Sequence, residues 1–443
     1  MKSSVEAFWS NWSGALLLVL CAGATAMARA ETPAQTNAPA AIATNLPAWL
    51  TRPISMLDAL NIAFQQNGTI LKARSDLEAN YGVAIQTRAI LIPKIQASGA
   101  FNSSDRGLID TIPGVPATFP HENWNSGIQI VQSIYEGGRM VSAFRSARLT
   151  REQAVAQYKT VVADTLLATR VAYADVLVAA QQILVNEASV TLLSRELEDQ
   201  QRRFEAGTVP RFNVLRAEVA VANERPALIR ARNAFRIAKN NLVNLLGYDL
   251  PRNVWQDIPL QLTDTLEAIP YEVELPLALA QALENRTELA ALRKAEQLQK
   301  ENVVVAKSGY KPSLQAFAGY DWRSSQFDTD LGHELHGWTI GGQVNWNIFD
   351  GFLTHGKVVQ ATALYERART DVADTSRRVE LEVRTAYSSF LEAREVLESQ
   401  QKVQEEADEA LRLARARAEA GTGTQLDVLN AETALTQART TQI

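Results

Sequence analysis

The sequence predicts a mixed α/β membrane protein: a tandem internal repeat in which each copy carries two membrane-crossing strands on a long antiparallel helical hairpin. Three observations predict it. Residues recur along the chain at a constant offset, the hydrophobic period switches twice from 3.6 to 2, and two uninterrupted helical stretches of about 69 residues each would reach about 100 Å.

The repeat organises everything else. "RFEAGTVPRFNVLRAE" (Arg203–Glu218) returns as "RAEAGTGTQLDVLNAE" (Arg417–Glu432), an offset of 214. Trp124, Gly127 and Gln129 match Trp338, Gly341 and Gln343 at the same offset, and "RVAY" at Arg170–Tyr173 matches "RTAY" at Arg384–Tyr387. Upstream the offset becomes 219: Ala59, Ala63, Pro93 and Gln96 match Ala278, Ala282, Pro312 and Gln315. The loop before Trp124 accounts for the change, being five residues longer in the first copy. A register held over such a span marks a duplicated structural unit.

Residues 1–30 read as a signal peptide, with the apolar core "GALLLVL" and an Ala28-Arg29-Ala30 cleavage pattern. Cys21 follows Leu20, whereas a lipoprotein site wants a small residue there, so cleavage after Ala30 is the expectation. Cys21 is the chain's one cysteine, which leaves the mature protein without a disulfide or thiolate metal site. The formal charge of −5 becomes −6 once Lys2, Arg29 and Glu6 are removed, which speaks against a nucleic-acid partner. Residues 31–52 read as a flexible Ala/Pro/Thr leader.

The first repeat is expected over 53–249, an equatorial linker over 250–272 and the second repeat over 273–443. Each repeat opens with a helix (Met56–Leu91, Leu277–Gly309) that Pro93 or Pro312 stops. A β-hairpin follows, at 94–135 and 313–349. In the second copy Leu314, Ala316, Ala318, Tyr320 and Trp322 share one face, as do Trp338, Ile340, Val344, Trp346 and Ile348; Gln315, Asp321, Thr339 and Gln343 share the other. Trp124, Ile128, Ile130 and Ile134 line the corresponding face of the first copy. Strands of roughly ten residues with aromatic ends fit a bilayer crossing, so Trp124, Tyr320, Trp322, Trp338 and Trp346 are the candidate lipid-facing aromatics. Four strands cannot close a barrel, since the smallest have about eight, so assembly with other copies is expected.

Long helices at 138–206 and 351–420 come next, with no internal proline. They end at Gly207-Thr208 and Gly421-Thr422, after which half-length helices return at 212–246 and 425–443. The partner of Gly247 would fall beyond Ile443, so the second return helix is read as incomplete, the end of a fragment.

With "LIPKIQ" and "YKPSLQ" before the hairpins, "IYEGG" and "IFDGF" after them, and the two "EAGT" phrases, the chain from about Met56 onward resembles the TolC-like outer-membrane efflux channels. The resemblance implies a homotrimer, with twelve strands closing one barrel in outer-membrane lipid and twelve helices forming a periplasmic tunnel. It implies a periplasmic adaptor and an inner-membrane transporter as partners, and a passive channel for efflux or type I secretion. The helix turns would then be the periplasmic entrance, and acidic side chains on the second return helix would constrict it. Asp427 stands at such a position, and Asn430, one turn on, replaces a second acid. Asn213 and Arg216 are their first-repeat counterparts, completing the candidate gate. Three copies of Asp427 would attract cations; the plainer reading is a carboxylate stabilising a helix start. A Tyr–Arg lock found in some members has no equivalent at Ala418 and Gly423.

No enzyme motif is present: neither a P-loop nor H-E-x-x-H occurs. His333 and His336 sit in the Trp322–Trp338 loop and read as solvated rather than metal-binding, and no metal or other cofactor is expected. The rival reading is a periplasmic coiled-coil adaptor or scaffold without a pore, which would leave the amphipathic strands unexplained.

Overall fold

The computed structural model describes residues 47, 49–50, 52–105, 107, 121–249, 258–267, 271–325 and 330–443. The expected signal peptide, nearly all of the leader, most of the long first-copy loop and much of the linker lie outside the described residues.

The opening helix of each repeat is two helices. The first repeat has α1 (Met56–Gln66) and α2 (Gly68–Arg88), the second α5 (Leu275–Asn285) and α6 (Thr287–Ser308). This differs from the continuous stretches that periodicity suggests. Asn67 sits in extended geometry, and its side-chain oxygen caps α2 by accepting from Thr69 N at 2.8 Å. Its amide also donates to the Leu245 carbonyl at 2.7 Å, so the break is held by a tertiary contact. Arg286 makes the same break in the second repeat, and its guanidinium reaches Glu382 at 3.2 Å.

Strands β1 (Lys94–Ser103), β2 (Glu122–Glu136), β3 (Ser313–Ser324) and β4 (Glu334–Asn345) form one antiparallel sheet in that order. Phe101 pairs with Trp124, Ile128 with Tyr320, Ala318 with Ile340, and Tyr320 with Trp338. Because directly paired residues share a face, the apolar side is continuous across all four strands. A bulge between Ser133 and Tyr135 leaves Ile134 without a cross-strand partner, which breaks the simple alternation read for this strand. β4 stops at Asn345, short of the expected 349, so Trp346 and Ile348 lie beyond it. There the Trp346 indole donates to the Tyr310 carbonyl at 3.2 Å.

The long helices α3 (Arg139–Glu205) and α7 (Leu353–Glu419) contain 67 residues each, about 100 Å at 1.5 Å per residue. Return helix α4 (Arg211–Leu245) packs on α3, and α8 (Gln425–Gln442) packs on α7 and also on α3. Helices α2 and α6 cover the other half of α3, and α6 bridges to α7. Pro226 lies inside α4 without ending it, although an interior proline costs about 3 kcal/mol; packing along α3 offsets that.

A polar belt ties the first repeat together where the two half-length helices meet. Ile54 bridges Leu262, and the buried Tyr173 hydroxyl of α3 donates to the Ile54 carbonyl at 3.0 Å. Gly247, at φ +82°, ends α4 so close to Gln66 that a Cβ would clash with the Gln66 carbonyl oxygen.

Candidate functional site

The two helix turns have the same construction. Gly207 and Gly421 take φ of +75° and +76°, a region open mainly to glycine, and nothing crowds either one. Thr208 N and Oγ1 both donate to the Arg203 carbonyl at 2.9 Å; Thr422 N and Oγ1 donate to the Arg417 carbonyl at 2.9 and 3.3 Å. These contacts satisfy carbonyls that a helix end otherwise leaves open.

The starts of the return helices differ. α4 begins after Pro210, which offers no side-chain cap. α8 begins with a reciprocal capping box: Asp427 N donates to Thr424 Oγ1 at 3.2 Å, while Thr424 N and Oγ1 donate to Asp427 Oδ2 at 2.9 and 2.7 Å. The Thr424 hydroxyl and N–H, with a smaller pull from Arg417, hold the exposed Asp427 carboxyl below its ordinary value. Asp427 is therefore an ionised helix-start carboxylate. Asn430 is exposed on the next turn.

Among the first-repeat counterparts, the Arg216 guanidinium lies 4.9 Å from the Phe212 ring centroid. Asn213 takes part through its backbone: Gln425 Nε2 donates to the Asn213 carbonyl at 3.1 Å. The two turns thus meet through Gln425, a residue outside the expected gate set.

Behind them, Leu411, Val428 and Leu435 form a small core with Leu192, Ala414 and Ala418 against it. Beside Leu192, the seam of α8 on α3 also carries polar contacts. Thr436 Oγ1 donates to Ser189 Oγ at 3.2 Å, and Gln182 Nε2 donates to Thr440 Oγ1 at 3.4 Å. Within the same region Glu432 is 2 % exposed and accepts from Arg415 Nη2 at 3.0 Å. Burial pushes its carboxyl up; Arg415 pulls it down, and Glu196 adds to the rise. No motif points to Gln425, Arg415 or Glu432. Their importance comes from which neighbours cover α8, although the unchanged "AE" of both phrases shows that Glu218 and Glu432 began as equivalents.

At the sheet, the Tyr320 and Trp322 rings lie 4.7 Å apart, tilted by 54°, and Trp338 stands opposite Tyr320. Trp338 is 75 % exposed in the single chain, and Ile340 and Val344 beside it are also open. The Trp124 indole donates to the Leu331 carbonyl at 3.0 Å. Among the described residues no group of three His, Cys, Asp or Glu could hold a metal ion.

The family profile of the outer membrane efflux protein matches residues 59–248 and 278–443, one segment per repeat. The chain belongs to the outer membrane efflux protein family. It is 23 % identical to the outer membrane protein TolC of Vibrio cholerae over 388 residues, covering 85 % of this chain and 84 % of that protein. It is also 23 % identical to the alkaline protease secretion protein AprF of Pseudomonas aeruginosa over 400 residues, covering 86 % and 79 %. Among solved structures, the outer membrane protein VceC of Vibrio cholerae superposes with a TM-score of 0.75 at 18 % identity, over 87 % of this chain and 91 % of that one. This outer membrane efflux protein therefore shares their channel fold: a small antiparallel sheet carried on long paired helices.

Proposed function

We propose that this outer membrane efflux protein is the passive outer-membrane duct of a trans-envelope export assembly. Three copies close one twelve-stranded barrel in lipid and continue it as a helical tunnel through the periplasm. A periplasmic adaptor docks near the helix turns, and an inner-membrane transporter supplies the energy. TolC and the secretion protein AprF, both matched over most of their length, support efflux or type I secretion as the setting.

The four-stranded sheet carries this reading. Its apolar face is continuous, and among the described residues both edge strands, β1 and β4, lack a second neighbour. In lipid an open edge would leave backbone groups unsatisfied, and only closure with other copies removes it. The exposed apolar residues of α7 (Val359, Leu381, Val396, Val403) and of α4 (Val219, Ile229) give the tunnel walls a surface on which to meet.

The test is recovery in the outer-membrane fraction followed by reconstitution into a planar lipid bilayer. Discrete conductance steps are expected. Recovery as a soluble periplasmic species, with no conductance, would favour the adaptor or scaffold alternative.

A further inference from the structure

The seam between α3 and α8 carries hydroxyl and amide contacts, Thr436 to Ser189 and Gln182 to Thr440. Toward the helix turns, three side chains, each at least nine-tenths buried, keep an oxygen without a hydrogen-bond partner among the described residues: Gln200 Oε1 on α3, and Gln425 Oε1 and Glu432 Oε2 on α8. Buried acceptors left open weaken the packed arrangement relative to one in which water reaches them. Glu432 is the ionisable member.

The charged groups around Glu432 come from each helix that covers it. From α7, Arg415 meets one carboxylate oxygen at 3.0 Å and is itself partly exposed. From α3, Glu196 adds a like charge and is held by Gln200 Nε2 at 2.9 Å; Asp199 further along is occupied by Arg203 at 2.7 Å. On α8 itself, Asp427 is tied up in the capping box, and Arg439 pairs with Asp408 of α7 at 3.0 Å. Arg415 and Glu196 therefore act on Glu432 in opposite senses, and one oxygen of the buried carboxylate meets no donor among the described residues.

The first repeat supplies the comparison. Glu218 occupies the matching position and is exposed, and Arg415 is matched by an exposed Gln201. The phrase is shared; within a single chain the burial and the counter-ion are particular to the second copy.

We propose that Glu432 is a proton-operated latch on the α3–α8 seam: neutral Glu432 keeps α8 packed against α3, and ionised Glu432 favours their separation. The direction follows from linkage. Packing raises the carboxyl above its ordinary value, so the packed seam binds the proton more tightly than the parted one. Packing is then favoured on the acid side, and separation becomes easier as pH rises from the ordinary glutamate range through the raised value. That separation opens the entrance is a consequence that rests on the duct reading above.

The full chain with Cys21→Ser, spin-labelled at Thr191→Cys on α3 and Thr433→Cys on α8, both exposed positions, provides the test. Double electron–electron resonance is recorded in detergent from pH 5 to pH 8. The expected result is a short-distance population at low pH and a growing longer one as pH rises. Glu432→Gln should stay short throughout. Glu196→Gln should move the midpoint to lower pH and Arg415→Gln to higher pH, so a failure of Glu432→Gln to fold leaves the idea testable. Distances in the parent protein that do not change with pH, or a Glu432→Gln variant that follows the parent's curve, would overturn it. Bilayer conductance at the same pH values separates the two proposals. A pH-dependent seam without conductance removes the duct and keeps the latch; conductance with an unchanging seam does the reverse.

Discussion

Gln425 and Asn213 stand 212 residues apart in sequence and touch at the helix turns, the Gln425 amide donating to the Asn213 carbonyl at 3.1 Å. The contact uses a side chain from one repeat and only backbone from the other. Gln425→Ala should therefore loosen the turns, removing one hydrogen bond of about 1 kcal/mol, whereas Asn213→Ala should leave the bond in place. Single-channel recording checks this: a higher open fraction is expected for Gln425→Ala and none for Asn213→Ala. Equal effects of the two would show that the Asn213 side chain matters in its own right.

Asp427 has two possible jobs, and Thr424 separates them. As a capping-box carboxylate it depends on Thr424; as part of a cation-attracting ring it does not. Its carboxyl is held below the ordinary value, so its contribution to the start of α8 is fully present above the unfolded aspartate range and is lost only as pH falls through the lowered value. Asp427→Ala should weaken block of conductance by polyvalent cations. Thr424→Ala should fray the helix start while preserving that block. Loss of block in both variants would assign Asp427 to capping alone.

The glycines give a graded prediction. Gly207→Ala and Gly421→Ala add a side chain where there is room, so the cost is that of left-handed geometry, about 1–2 kcal/mol. Gly247→Ala combines that geometry with a clash on the Gln66 carbonyl oxygen, and should cost clearly more and displace the junction of α1 and α2. Thermal unfolding of the three variants side by side checks the order. An equally small shift for Gly247→Ala would mean that the belt around Ile54 yields easily.

These cases show what sequence can and cannot carry. The duplication is legible because matched residues hold one register, and strand faces are legible because their period of 2 survives in Trp338, Ile340 and Val344. The break at Asn67 is not legible, since helical spacing continues through it and the Leu245 carbonyl that holds it comes from another helix. The end of β4 at Asn345 is hidden for a similar reason: Trp346 keeps the alternation in sequence while its indole turns to Tyr310. At the turns, Asp427 is legible as a helix-start carboxylate, while its reciprocal partner Thr424 comes from the structure. Glu432 and Glu218 read identically until it is known that α8 lies against both α7 and α3, whereas α4 packs chiefly on α3.

That same asymmetry specifies how neighbouring copies should meet in the proposed ring. Within one chain α8 lies between α7 and α3, and Ser189 meets Thr436 at 3.2 Å. Shifted by the repeat offset of 214, the pair becomes Val403 on α7 and Ala222 on α4. Among the described residues of one chain these two helices do not pack along each other, and Val403 is 41 % exposed. If the ring continues the repeat, Val403 of one copy packs against α4 of the next, near Ala222. Gln182 and Thr440 shift likewise to Val396 and Pro226. At these two positions the contact between copies would then be apolar where the contact within a copy is polar, holding the copies together while α8 and α3 remain free to part. Cysteines at Ala222 and Val403, with Cys21→Ser, should form a disulfide between copies and yield a ladder ending at three chains on non-reducing electrophoresis. A ladder ending at two would replace the trimer with an eight-stranded dimer. A monomer under oxidising conditions would mean that the helices do not continue the repeat across copies.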